Sequence, residues 1–289
     1  MANQLILPAY AKINRFLHIT GRLANGYHQL QTLMQLIDLK DTLTFELAYH
    51  DQINIHSTCF ISSIEDNLVY KAAMAIKPYA KSFCGVDIHI EKRIPMGGGL
   101  GGGSSDAATT LIALNTLWHC NLNQKQLIDI GAKLGADIPI FIFGQTAWTE
   151  GIGEKLMPFK QEESLLLICC PNIHICTKSL FQHPELKRNY LPIKPENYCF
   201  DTTENAFEVI IKNLHPQIKT IMDEIKAEAP VRLTGSGGCF YVICQDFNQL
   251  EKLQKKFDKR LDTIPSKALN YAAVAYDDLS KRGNLKQCQ

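Results

Sequence analysis

The stretch Pro95–Leu111, PMGGGLGGGSSDAATTL, sets six glycines and two serines ahead of an abruptly apolar segment. Upstream, GVDIHIEKRIP alternates: Val86, Ile88 and Ile90 fall on one side, Asp87, His89 and Glu91 on the other, the pattern of a half-buried strand. Downstream, Ala107, Ala108, Leu111, Ile112, Leu114, Leu117 and Trp118 make a helix apolar on nearly every side, which predicts a central, buried one. A glycine run held between two such elements is no flexible spacer; its glycines serve a fixed backbone path. Glycine lets backbone N–H groups approach a ligand and accepts left-handed conformations. Successive N–H groups in such a turn form an anion-binding concavity, and the following helix adds its free N–H groups and positive dipole end. Ser104 or Ser105 is the expected N-cap, with a hydroxyl able to reach a phosphate or a metal ion. The layout suits a polyphosphate.

Three familiar phosphate loops fit poorly. The Walker A pattern requires a lysine before the hydroxyl residue, and here Gly103 precedes Ser104. Gly97, Gly99 and Gly102 meet the dinucleotide pattern formally, but six glycines satisfy almost any glycine spacing. The strand before them also alternates, unlike a first Rossmann strand buried on both faces. The protein-kinase loop lies between two strands, whereas a helix follows here. A longer, ordered pattern does fit. The segment resembles the Pro-x-x-x-Gly-Leu-Gly-Ser-Ser-x-Ala signature of the galactokinase, homoserine kinase, mevalonate kinase and phosphomevalonate kinase (GHMP kinase) family, with one extra glycine before the serine pair.

The resemblance extends over essentially the whole chain. AYAKINRFLHITGRLANGYHQLQTLMQLIDLKD resembles an N-terminal strand and Gly-Tyr-His turn of one branch of that family. KLGADIPIFIFG resembles the segment carrying its catalytic aspartate, KSLFQHPEL its aromatic stretch, and LTGSGGCFY its third motif. The third motif departs from the commoner forms, reading Thr234-Gly235-Ser236-Gly237-Gly238. What the resemblance implies is an ATP-dependent kinase of the non-mevalonate isoprenoid route, acting on the 2-hydroxyl of a cytidine-diphosphate-linked methylerythritol, with ATP and Mg²⁺ as cofactors. It implies Lys12 and Asp137 as catalytic residues, Asp137 as general base. It implies Asn67, Leu68, Lys92, Pro95, Gly97, Gly98, Gly99, Leu100, Gly101, Gly102, Gly103, Ser104 and Ser105 around the nucleotide. It implies Asn14, Tyr27, His28, Phe181, Thr234, Gly235, Ser236 and Gly237 around the acceptor, with Tyr27 and Phe181 sandwiching the cytosine and His28 on its polar edge. Glu150 and Asp106 are metal-ligand candidates that the sequence does not separate. Taken without the resemblance, Asp137 reads as a cap or turn aspartate and Lys12 as an exposed strand lysine.

The remaining sequence agrees with an α+β enzyme of two domains, 1–158 and 159–289, with the active site in the cleft between them. Strand and helix signals mix without strict alternation, which disfavours a doubly wound sheet. In YAKINRFLHITGR, period-two spacing places Lys12, Asn14, Phe16 and His18 on one face and Ala11, Ile13, Leu17 and Ile19 on the other. Asn25-Gly26 supplies a turn, and Asp66 is the expected cap of a helix over NLVYKAAMAIKPYA. NYAAVAYDDL reads as a last strand. The formal net charge of +1 gives no reason to expect nucleic acid. The basic clusters Lys252–Arg260 and Lys281–Lys286 read as solvated surface. The ten cysteines include no Cys-x-x-Cys pair, which points to reduced thiols. No secretory signal or bilayer-length apolar run is present, so the expected location is the cytoplasm and no membrane partner is expected. A ligand sensor on the same fold would need no proton acceptor, so Lys12 and Asp137 together favour an enzyme.

Overall fold

The computed structural model describes residues 4–24, 26–48, 51–59, 63–81, 85–171, 173 and 175–272. In chain order its elements are β1 (Gln4–Arg22), β2 (His28–Ala48), β3 (Ile53–Ser57), α1 (Leu68–Ile76), β4 (Gly85–Glu91), α2 (Gly102–Leu117), α3 (Gln124–Leu134), α4 (Ile138–Phe143), β5 (Ala147–Gly151), β6 (Lys155–Pro158), β7 (Leu165–Cys170), α5 (Thr177–Gln182), α6 (Glu208–Leu214), α7 (Pro216–Lys226), β8 (Val231–Leu233), β9 (Phe240–Cys244), α8 (Phe247–Phe257) and β10 (Asp262–Leu269). One open mixed sheet runs β3-β4-β2-β10-β7-β9-β8, with β1 and β5 also on β2 and β6 on β5.

The backbone of the architecture is the antiparallel pair β1 and β2, 19 and 21 residues long. Its ladder shifts register three times, and one shift decides the site. Asn14 pairs with Met34 and Leu17 with Thr32, so β1 spends three residues where β2 spends two. An extra residue in one strand reverses which face each later side chain takes. The simple alternation expected for β1 therefore breaks at residues 15–16. Leu17, rather than Phe16 or His18, joins Lys12 and Asn14 on the cavity described below. Phe16 packs instead with Leu33 and Trp148.

β1 also threads the cores. Leu7 and Ala9 belong to a first cluster under α1 to α4, whose centre is α2. Ala11 and Ile13 belong to a bridging cluster with Ile37, Ile168, Tyr241 and Ala268. Leu17 and Ile19 enter a second large cluster with α6, α7 and α8. α2 is buried almost throughout, as its all-round apolar sequence requires. Ile94 and Leu100 sit in the bridging cluster, so apolar anchors pin the entry and the middle of the glycine loop to the junction between the two helical groups.

Two expected boundaries move. Asn67, not Asp66, caps α1, its side chain accepting from Val69 N at 2.8 Å. α2 begins at Gly102 with Gly101 as its cap at φ +75°, so Ser104 and Ser105 lie inside the first turn. The last described strand is β10, and most of the expected strand NYAAVAYDDL is not among the described residues. Within that segment Tyr271 makes a single bridge to Gln145, and residues 273–279 fall outside the described residues. The α8 basic cluster is paired at the surface, with Lys252 and Lys256 on Glu228 and Arg260 on Glu224. Lys281–Lys286 and Asn25 lie outside the described residues. Among the described residues no helix is long and apolar enough to cross a membrane.

Candidate active site

A cavity of about 770 Å³ opens where the glycine loop, the start of α2, β1 and the start of α4 meet α5 and the 235–237 turn. Its wall brings together Lys12, Asn14, Asn67, Leu68, Lys92, Pro95, the run Gly97–Ser104, Asp137, Phe181, Gly235, Ser236 and Gly237. Residues from positions 12 to 237 thus converge on one space. Ser105 and Thr234 are buried and off this wall; Tyr27, exposed on the turn before β2, and His28 beside it are off the wall too. The wall also includes Leu17, Leu30 and Thr32, which the sequence reading did not single out.

Lys12 sits on the floor, 2% exposed rather than the solvent-facing strand lysine that position alone suggests. Its ammonium donates to Asn14 Oδ1 at 2.6 Å and to Gly99 O at 2.8 Å, and lies 3.4 Å from Asp137 Oδ2. Asn14 is fixed in turn by Thr32 Oγ1, which accepts from its Nδ2 at 2.9 Å. Asp137 occupies the cap position of α4, but its carboxylate caps no backbone N–H. One-third exposed, it is free to face the cavity. Pro139 within the first turn of α4 and Gly135 just after α3 hold this corner in place.

The glycine loop is interlocked with the third motif. Thr234 Oγ1 accepts from Asn14 N at 3.1 Å and donates to Gly99 O at 3.3 Å. A Cβ on Gly237 would stand 2.2 Å from backbone atoms of Gly98 and Gly99. The two turns touch backbone to backbone, which explains the glycines of both. Thr234 thus works as a strut between β1 and the loop. No side chain caps α2, a 16-residue helix, so first-turn N–H groups beside Ser104 remain for other partners.

Beneath the loop lies a buried triad. Lys92 Nζ donates to Asp106 Oδ2 at 2.7 Å and, in a very short contact, to Asp41 Oδ2. Asp41 also accepts from the backbone N–H groups of Arg93 at 2.5 Å and Ile94 at 2.8 Å. Asp106 Oδ1 is buried with no partner. Two carboxylates share one ammonium, and the excess negative charge falls on Asp106. Burial pushes its carboxyl up to about 7 against the pull of Lys92. Burial also works against the Lys92 ammonium, but Asp106 and Asp41 outweigh it and hold its pKa above the ordinary lysine value. Lys92→Met strands both carboxylates and is expected to cost about 3–5 kcal/mol of stability. Urea unfolding monitored by circular dichroism measures this; a loss under about 1 kcal/mol would mean that the triad does not depend on its cation.

The opposite end of the cavity is aromatic. Phe181, on α5, packs edge-on against the buried Phe207 at 4.9 Å between centroids. His28 lies 5.0 Å from Phe181 with the rings tilted by 31°. Burial first, then the Arg188 and Arg22 cations, hold the His28 pKa below its ordinary value. Arg188 donates from Nε to His28 Nε2 at 3.2 Å, a contact across 160 positions that no local signal foretells. Of the two acidic metal candidates, Glu150 is off the cavity wall, its Oε1 accepting from Gln31 and Trp148. Asp106 is on the wall but committed to Lys92. Among the described residues no group of three His, Cys, Asp or Glu side chains could hold a metal ion.

Comparison with known proteins matches this arrangement. Residues 67–145 match the GHMP kinases N terminal domain and residues 195–263 the GHMP kinases C terminal family. A 4-diphosphocytidyl-2-C-methyl-D-erythritol kinase of Francisella philomiragia is 45% identical over 269 residues, covering 91% of this chain and 96% of that protein. One from Acinetobacter baumannii is 44% identical over 254 residues, covering 86% and 90%. The crystal structure of a 4-(cytidine 5'-diphospho)-2C-methyl-D-erythritol kinase superimposes with a TM-score of 0.79 at 27% identity, covering 91% of this chain and 99% of that one. The homoserine kinase of Cytophaga hutchinsonii shares the fold at a TM-score of 0.70 and 16% identity, covering 94% and 96%. With its glycine loop, its Lys12–Asp137 pair and its third motif gathered on one cavity, the chain belongs to the GHMP kinases, and within them to the 4-diphosphocytidyl-2-C-methyl-D-erythritol kinase family.

Proposed function

We propose that this chain transfers the γ-phosphoryl group of ATP to the 2-hydroxyl of 4-diphosphocytidyl-2-C-methyl-D-erythritol, releasing ADP and the 2-phosphate. The observation that carries the reading is the carboxylate of Asp137 set 3.4 Å from the buried Lys12 ammonium, at the foot of a glycine loop and in reach of an aromatic pocket. The names of relatives at about 45% identity support the same acceptor. The two family matches fall on either side of the expected boundary at 158/159, which supports the two-domain division.

Phosphoryl transfer has a loose transition state, so positioning and electrostatics do most of the work. The loop from Gly97 to Gly103 and the start of α2 hold the triphosphate through backbone N–H groups. Asn67 and Leu68 flank the adenosine. Asp137 accepts the hydroxyl proton as the new P–O bond forms. Lys12, fixed by Asn14 and Gly99, faces the negative charge that gathers on the transferred oxygens. Phe181 and Tyr27 take the faces of the cytosine, His28 its edge. Mg²⁺ fits the sparse donors on this wall, because it keeps several waters and is held largely by phosphates. Ser104 is the side chain placed to join them. When bound, Mg²⁺ would supply charge neutralisation for the triphosphate.

The test is ADP release with ATP and Mg²⁺, comparing the cytidylated acceptor with the same sugar lacking its cytidine. Turnover is expected only with the cytidylated compound. ATP binding without turnover of either would overturn the acceptor but keep the phosphate loop.

A further inference from the structure

Arg188 lies off the cavity wall, yet its contacts converge on the aromatic end of the cleft. Besides Nε on His28 Nε2, its Nη1 donates to Leu186 O at 3.0 Å. Its Nη2 donates to Phe181 O at 3.0 Å and to His183 O at 2.9 Å. One planar guanidinium thus ties the stretch that carries Phe181 to the histidine facing it. A flexible lysine could not span this set, whereas the rigid fork of arginine does.

The direction of the Arg188–His28 bond carries chemical information. Arginine has donors only, so His28 Nε2 must supply a lone pair. A neutral imidazole that accepts at Nε2 carries its proton at Nδ1. Arg188 occupies the acceptor nitrogen and leaves a ring that offers only a donor. Pyrimidine bases differ in what meets such a donor. Cytosine presents a lone pair at N3, while uracil presents N3–H, which would face N–H with N–H. A site that sets a donor against a donor leaves both unpaired, a larger penalty than a lost contact.

We propose that Arg188 is a positioning residue for base choice: by holding His28 in the Nδ1–H form it makes the cleft select cytosine over uracil in the acceptor. This rests on the reading that the acceptor carries a pyrimidine nucleotide. Arg188 touches neither the base nor the reacting atoms, so its effect passes through His28 and the Phe181 segment.

The test combines kinetics with nitrogen-15 NMR of the imidazoles, on the full-length wild type, Arg188→Met and Arg188→Lys. The wild type is expected to show His28 protonated at Nδ1 and bare at Nε2. In Arg188→Met the ring is expected to move toward the Nε2–H form. The cytidine-over-uridine ratio of kcat/KM is then expected to fall about tenfold, as for the loss of one oriented hydrogen bond, through the KM of the acceptor rather than kcat. Arg188→Lys keeps one donor for Nε2 and is expected to retain the ratio while the acceptor KM rises. The KM for ATP reports on folding of the rest of the site and is expected to stay put. A wild-type His28 protonated at Nε2, or an unchanged base ratio in Arg188→Met, overturns the proposal alone. A wild type that turns over neither nucleotide-linked acceptor overturns the functional reading as well, and the two failures are told apart by wild-type activity.

Discussion

Asp137→Asn is expected to lower kcat by about a thousandfold while the KM for ATP and the melting temperature stay close to wild type. The carboxamide keeps the size and shape of the side chain but cannot take a proton from the acceptor hydroxyl. Three observations confine the effect to chemistry. The carboxylate makes no capping bond to α4, so the helix start does not depend on it. It is one-third exposed, so removing its charge leaves little uncompensated burial. Lys12 keeps Asn14 Oδ1 and Gly99 O as partners and is not left bare. Asparagine also keeps an Oδ1 that can accept from the buried Lys12 ammonium. Steady-state kinetics and a thermal melt on the same preparation give the answer. A kcat within about threefold of wild type would remove Asp137 from proton transfer, and a large drop in melting temperature would show a structural role instead.

The strand–loop–helix unit around Pro95–Leu111 was legible because it rests on local pattern, whereas Lys12, Asp137 and the aromatic positions were legible only through the family resemblance. Alternation marks β4, all-round apolarity marks α2, and the glycines between them have no other economical explanation. What it hid depends on register or on distant partners. The bulge at residues 15–16 leaves no composition signal, yet it puts Leu17 rather than Phe16 on the cavity wall. The start of α2 was misplaced because Ser104 and Ser105 are good caps in general, whereas a left-handed glycine at position 101 starts the helix earlier. β10 was missed because Pro265 lies in its middle, and proline argues against an interior strand. Over Asp262–Lys267 that strand has a single ladder partner, β7, and β2 joins only at Ala268 and Leu269. Proline is therefore tolerated on what is locally an edge. Asp41 and Arg188 act on Lys92 and His28, 51 and 160 positions away, and nothing near either residue announces it.

Gly99→Ala is expected to cost about 2–5 kcal/mol of stability, summing a left-handed backbone penalty and overpacking, and to lower kcat/KM for ATP by about a hundredfold or more through displacement of the loop. Gly99 has φ +78°, a conformation that L side chains rarely adopt. Its added Cβ would stand 2.2 Å from Thr234 O and 2.9 Å from Gly237 N. Both are backbone atoms of the third motif, and neither can swing aside as a side chain can. The loop must move as a body. Gly99 O then leaves Lys12 Nζ, now 2.8 Å away, and Thr234 Oγ1 loses an acceptor. The site would lose its phosphate cradle and the fixed position of its lysine together. Gly97→Ala separates the two causes. Gly97 has φ +70°, but an added Cβ there meets nothing within 4 Å. It is expected to show only the backbone penalty, about 1–2 kcal/mol. Urea unfolding and ATP kinetics on both variants test the contrast. Equal losses at the two positions would mean that the contact between the glycine loop and the third motif does not govern the site. A deeper loss at Gly99 would show that the two glycine turns, 135 positions apart, act as one clamp.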